Sequence, residues 1–159
     1  MAERVDQQMA AQAEKVIGPL VTDPQLAQRI RTRMRQFPMR LRSSGLVAAF
    51  AFAESKSGSA DPLEQAYSRL CKAIIEHAAK RKLLPGLTPQ STPREFLDVL
   101  TKADLPTHSR LSAEIDLLAG WLSRIAEARY GKLAAAATEH ANQENPGESA
   151  DSDTGEERE

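Results

Sequence analysis

The densest chemical signal in the chain is a run of six arginines, at positions 29, 31, 33, 35, 40 and 42, with no acid between the first and the last. At ~100° per residue on a helix of 3.6 residues per turn, Arg29, Arg33 and Arg40 fall on one flank of an apolar stripe. Arg31, Arg35 and Arg42 fall on the other. The planar guanidinium fork matches phosphate oxygens bidentately, so two such ridges suit a phosphodiester backbone. The competing reading pairs these arginines with acids elsewhere, such as Glu54 or Glu64. Modules that read bases on single strands stack them on aromatic platforms. Here Phe50, Phe52, Tyr67 and Trp121 sit in apolar helix patterns, and Phe37, Phe96 and Tyr130 form no platform motif. Contact with the backbone, insensitive to sequence, is the expectation.

Other reactive side chains are scattered. His77 lies at the edge of an apolar stripe, His108 precedes the last helix and His140 lies in an acidic tail, so no two have metal-ligand spacing. His108 beside Arg110 offers a general base for RNA cleavage, but the sequence supplies no second proton-transfer partner. Glu114 and Asp116 lack the carboxylate partner of a glycosidase or two-metal site. Neither standard glycine-rich phosphate loop occurs. Cys71 has no partner for a disulfide or a thiolate zinc site, and its apolar neighbours mark it as a small buried side chain. The expectation is no catalytic residue, no metal and no cofactor.

The 159 residues carry 21 Lys plus Arg against 22 Asp plus Glu, a formal charge of −1. Eight of the acids lie after Thr138, with Arg158 the only base there, which leaves 20 bases and 14 acids in residues 1–138, a net of +6. Apparent neutrality thus conceals a basic body and an acidic tail. The longest apolar run, Leu46 to Ala53, falls far short of the ~20 residues of a membrane span, and the polar N-terminus has no signal-peptide core. A soluble, cytoplasmic protein is expected.

Almost every segment between prolines and glycines carries helical spacing. The fold expected is all-α: a compact single-domain bundle of about five to six helices over residues 1–137, followed by a disordered acidic tail over 138–159 with too few apolar side chains to order it. The first helix runs from Glu3 to Ile17 and closes at Gly18-Pro19. Asp23-Pro24, Asp61-Pro62 and Thr92-Pro93 each place a capping oxygen before a proline at the first helical position. They open helices with stripes such as Leu26, Ile30, Met34, Phe37 and Leu41, or Leu63, Tyr67, Leu70, Ile74 and Ala78. Pro38 should kink or interrupt the arginine helix. Ser44-Gly45 separates it from Leu46 to Ser55, apolar on every side and so expected to be central, with a strand over Val47 to Phe52 as the competitor. A last helix spans about Thr107 to Ala137 on Leu111, Ile115, Leu118, Leu122 and Ile125.

Three segments together resemble a known family. They are Asp6-Gln7-Gln8-Met9 with Val16; Phe37-Pro38-Met39-Arg40-Leu41-Arg42-Ser43-Ser44-Gly45-Leu46 leading to Phe50, Phe52 and Ser55-Lys56; and Arg110 to Glu114 with Leu117-Leu118, Trp121-Leu122 and Arg124. Their order and spacing are similar to those of the small α-helical subunit of the type III-B CRISPR effector, the Cmr complex. Ser44, Ser109 and the acidic extension depart from that pattern. The resemblance implies a non-catalytic subunit that stacks with copies of itself in a filament, alongside the backbone subunits holding the guide RNA, with a basic face toward target RNA. It implies contacts at Arg40, Arg42 and Lys56, while Arg31 and Arg35 rest on the helical wheel alone. The alternative is a free-standing helical DNA-binding regulator, disfavoured by the helix after Gly45, which is apolar all round and offers no side chains for base edges. An RNA-processing enzyme comes third. The acidic tail could compete with RNA for the basic surface.

Overall fold

Three of the helices begin where an Asp-Pro or Thr-Pro pair dictates. A computed structural model describes residues 4–144 and contains α1 (Val5–Ile17), α2 (Pro24–Lys56), α3 (Pro62–Lys80), α4 (Pro93–Thr101) and α5 (Leu105–Glu144), with no strand among the described residues. Asp23 accepts a hydrogen bond from the Gln25 amide at 3.0 Å, Asp61 from the Glu64 amide at 2.9 Å and Thr92 from the Glu95 amide at 3.2 Å. Each satisfies a donor that the first helical turn leaves unpaired. Glu95 returns the contact to the Thr92 amide, whereas the Glu64 carboxylate reaches the Ala60 amide instead.

Gly45 breaks α2, with φ 84° and ψ 170°, a conformation that a side chain would strain. The space around its would-be Cβ is open, so the requirement is backbone conformation alone. Pro38 does not interrupt the helix as expected: it is buried and keeps helical dihedrals. Burial of its ring offsets the backbone hydrogen bond it removes. The arm after Gly45 is also less central than its composition suggests. Leu46, Ala49, Phe50 and Ala53 are buried, but Ala48 and Ala51 are exposed, a small penalty for so short a side chain.

The helices close around one core. Arg31 meets Glu127 and Arg42 meets Asp116, so α2 runs antiparallel to α5. α1 and α2 each pack on both α5 and α3, and α4 closes against α2 and α3 with Phe96 on Phe50 at 4.5 Å between ring centroids. The order around the bundle is therefore α1, α5, α2, α3. Two polar ties fix the turn after α1. Arg69 donates to the carbonyls of Val16 and Ile17 at 2.9 and 3.1 Å, and the buried Tyr130 hydroxyl accepts from the Val21 amide at 3.1 Å. Gly18, at φ 64°, lies so close to the Arg69 guanidinium that a Cβ there would stand 2.7 Å from its Cζ.

α5 continues to Glu144, past the boundary drawn at Ala137. Its buried stripe runs through Leu111, Ile115, Leu118 and Leu122, then Ala126, Tyr130, Ala134 and Ala137. The remaining part of the acidic tail, 145–159, lies outside the described residues.

Candidate nucleic-acid interface

α2 buries Ile30, Met34, Phe37 and Leu41, which leaves its arginines on the two flanking ridges. One ridge faces α5 and is engaged there. Arg31 Nε stands 2.5 Å from Glu127 Oε2, Arg35 reaches the same oxygen at 3.4 Å, and Arg42 Nε meets Asp116 at 3.1 Å. The hydrogen bond from Arg31 holds the Glu127 carboxyl below its ordinary pKa and raises that of Arg31 in return. The acids that engage these arginines are Glu127 and Asp116, not Glu54 or Glu64.

The other ridge faces α3, with Arg33 and Arg40 close to Tyr67. Among the described residues, Arg29, Arg33, Arg40 and Lys56 form no ion pair. The bend at Gly45 folds the second arm of α2 so that Arg40 sits 3.5 Å above the centroid of Phe52, with Lys56 Nζ at 5.8 Å. Such cation–π contacts contribute about 0.5–1 kcal/mol at exposed sites. Phe52 in turn meets Tyr67 edge-on, at 6.2 Å and 80°. Burial raises the Tyr67 pKa, and the nearby charges of Arg33 and Arg40 oppose that rise. Phe52 thus serves as a backing for Arg40 rather than as a base platform, a role its place in an apolar pattern did not suggest. The structure joins Arg40 with Lys56 on this ridge and separates them from Arg31, Arg35 and Arg42.

The other aromatic rings are withdrawn. Phe37, Phe50, Phe96, Tyr67 and Tyr130 are buried, and Trp121 is partly covered, with Arg124 5.2 Å from its centroid. The histidines are not assembled into a reactive group. His77 is buried and its Nε2 stands 2.6 Å from Glu114 Oε2, while Arg81 holds the same carboxylate with two hydrogen bonds at 3.2 and 3.0 Å. Burial alone would raise the Glu114 pKa, but the hydrogen bonds and charges of Arg81 and His77 outweigh it and lower the net value. Arg110, the neighbour of interest beside His108, approaches Glu114 at 3.6 Å. No group of three or more His, Cys, Asp or Glu suited to a metal ion occurs among the described residues. Burial, and secondarily the charge of Glu54, pushes the Cys71 thiol up to about 12. It is a thiol at neutral pH, not a nucleophile.

The family model described as CRISPR-associated protein (Cas_Cmr5) matches residues 5–129. The chain belongs to this family. Its members are small subunits of the type III-B Cmr complex, the family whose motifs the sequence resembles, and membership implies association with that complex. The match takes in all six arginines of the run, Phe52 and Lys56, and ends one residue before Tyr130. No curated protein matches the chain. No helix among the described residues is long and apolar enough to cross a membrane.

Proposed function

We propose that this chain is a non-catalytic small subunit of a cytoplasmic type III-B CRISPR ribonucleoprotein in antiviral defence. It stacks with copies of itself beside the backbone subunits and contacts the phosphates of target RNA paired with the guide. The residues assigned to that contact are Arg31, Arg35, Arg40, Arg42 and Lys56. The observation that carries the reading is the α3-facing ridge of α2, where Arg40 and Lys56 share Phe52 and, among the described residues, form no ion pair. Unpaired, partly oriented cations on a helix favour phosphodiester contact without base selection. Arg31, Arg35 and Arg42 contribute less, because each must give up Glu127 or Asp116.

A DNA-binding regulator would need a recognition helix rich in exposed polar side chains. The arm after Gly45 instead exposes Ala48 and Ala51. Purifying the tagged protein from its native cell, then sequencing bound nucleic acid and identifying co-purifying chains, separates the two. Recovery of a guide RNA with several other subunits is expected. Recovery of chromosomal promoter DNA would overturn the proposal.

A further inference from the structure

On the other side of α3 a trough runs along the seam with α1, across the bundle from the α2–α5 seam. One part, about 480 Å³, is lined by Gln8, Gln12, Lys15, His77, Lys80 and Arg81. The adjoining part, about 240 Å³, shares Gln12 and Lys15 and adds Arg69, Lys72 and Glu76. Arg69 to Arg81 is twelve steps along α3, or ~18 Å at 1.5 Å per residue.

The charge of this trough is one-sided. Among the described residues, Glu76 is the single acid in its lining, and it lies 3.9 Å from Lys72. Arg69 is committed to the end of α1 and Arg81 is shared with Glu114. Lys15 and Lys80 are exposed and, among the described residues, have no acidic partner. The basic end of α3 at Lys80 to Lys82 suits the helix dipole, yet that accounts for only one end of a trough whose cations come from two helices. Gln8 and Gln12 stand one turn apart on α1 and supply amides that can donate to phosphate or sugar oxygens.

We propose that this trough is a second track for single-stranded nucleic acid, held by Lys15 and Lys80 with Lys72 and Arg81 beside them, separate from the α2 ridge. A protein partner is the less favoured occupant. Protein interfaces centre on large apolar side chains, and the exposed ones among the described residues, Val5, Leu20, Met39, Leu105 and Leu117, all lie outside the trough. The proposal does not depend on RNA binding at α2.

The test uses the full-length chain, a labelled 20-nucleotide oligouridylate and anisotropy titrations from 50 to 300 mM salt. The double variant Lys15→Gln/Lys80→Gln should weaken binding about fivefold at the low-salt end. It should also flatten the slope of log K against log salt by about 1.4, since each single-strand phosphate contact contributes about 0.7. Lys15→Arg/Lys80→Arg should keep wild-type affinity. Unchanged affinity and slope in the glutamine variant, with a wild-type helical circular dichroism spectrum, would overturn the proposal. So would a loss confined to labelled polyglutamate, which would make the trough a dock for acidic protein segments. In parallel, Arg33→Gln/Arg40→Gln reads the α2 ridge alone. A loss with the trough variant but none with this one upholds the trough and rejects the α2 reading.

Discussion

The two ridges of α2 carry the same residue type on the same helix, yet they are different surfaces. Arg31, Arg35 and Arg42 lean on α5, where Glu127 and Asp116 neutralise them in part. Arg33 and Arg40, with Lys56, lean toward α3 and meet aromatic rings instead of acids. The difference shows that a basic run on one helix does not define a binding face. The neighbouring element decides which of its charges are already answered. Exposed ion pairs contribute only about 0–1 kcal/mol each, so the α5-facing arginines stay tethered without stabilising the bundle much.

The most drastic way to break this contrast is charge reversal on the free ridge. Arg40→Glu/Lys56→Glu should lower oligouridylate affinity on the order of 100-fold at 50 mM salt, with an effect that shrinks as salt rises. The same oligonucleotide titrated against Arg31→Gln/Arg35→Gln/Arg42→Gln should show a loss of only about threefold, because much of that charge is directed to α5. Phe52→Leu leaves every charge in place but removes the ring under Arg40. A loss of about twofold to threefold in affinity is expected from the forfeited cation–π contact, and anisotropy together with a thermal melt distinguishes it from unfolding. Glu127→Gln works in the opposite direction: releasing Arg31 and Arg35 should tighten binding about twofold and steepen the salt slope.

A third acid on α5 sharpens the comparison through stability rather than binding. The carboxyl of Glu114 is depressed in the folded protein by Arg81 and His77 despite burial. Its contribution is therefore present above the ordinary carboxylate pKa of about 4.3 and is lost as pH falls through the lower folded value. Urea melts from pH 6 to pH 3 should show a falling midpoint, and Glu114→Gln should flatten that fall. An equally steep fall in the variant would remove Glu114 from the account.

Much of the fold was legible because its signals are local. A capping oxygen followed by proline starts α2, α3 and α4, and the break at Gly45 follows from a residue whose backbone conformation no neighbour has to impose. Less legible were features set by packing. Pro38 stays within the helix because its ring is buried, and α5 continues through Thr138 to Glu144 without a large apolar side chain. At the candidate site the arginine run announced itself, but its division did not. Arg31 and Glu127 are 96 residues apart and Arg42 and Asp116 are 74 apart, and no spacing on α2 could reveal which face α5 would cover. Lys15 and Lys80 were hidden for the same reason, since each is unremarkable until α1 and α3 are placed side by side.

The central claim is that the α3-facing ridge, with Arg33 beside Arg40 and Lys56, meets RNA phosphates more strongly than the α5-facing ridge of Arg31, Arg35 and Arg42. The direct measurement is the salt dependence of oligouridylate binding for two triple variants, Arg33→Gln/Arg40→Gln/Lys56→Gln and Arg31→Gln/Arg35→Gln/Arg42→Gln. At about 0.7 per single-strand contact, the first should flatten the slope by about 2 and the second by less than about 0.7. Equal flattening by both sets, or a larger effect from the second, would contradict it.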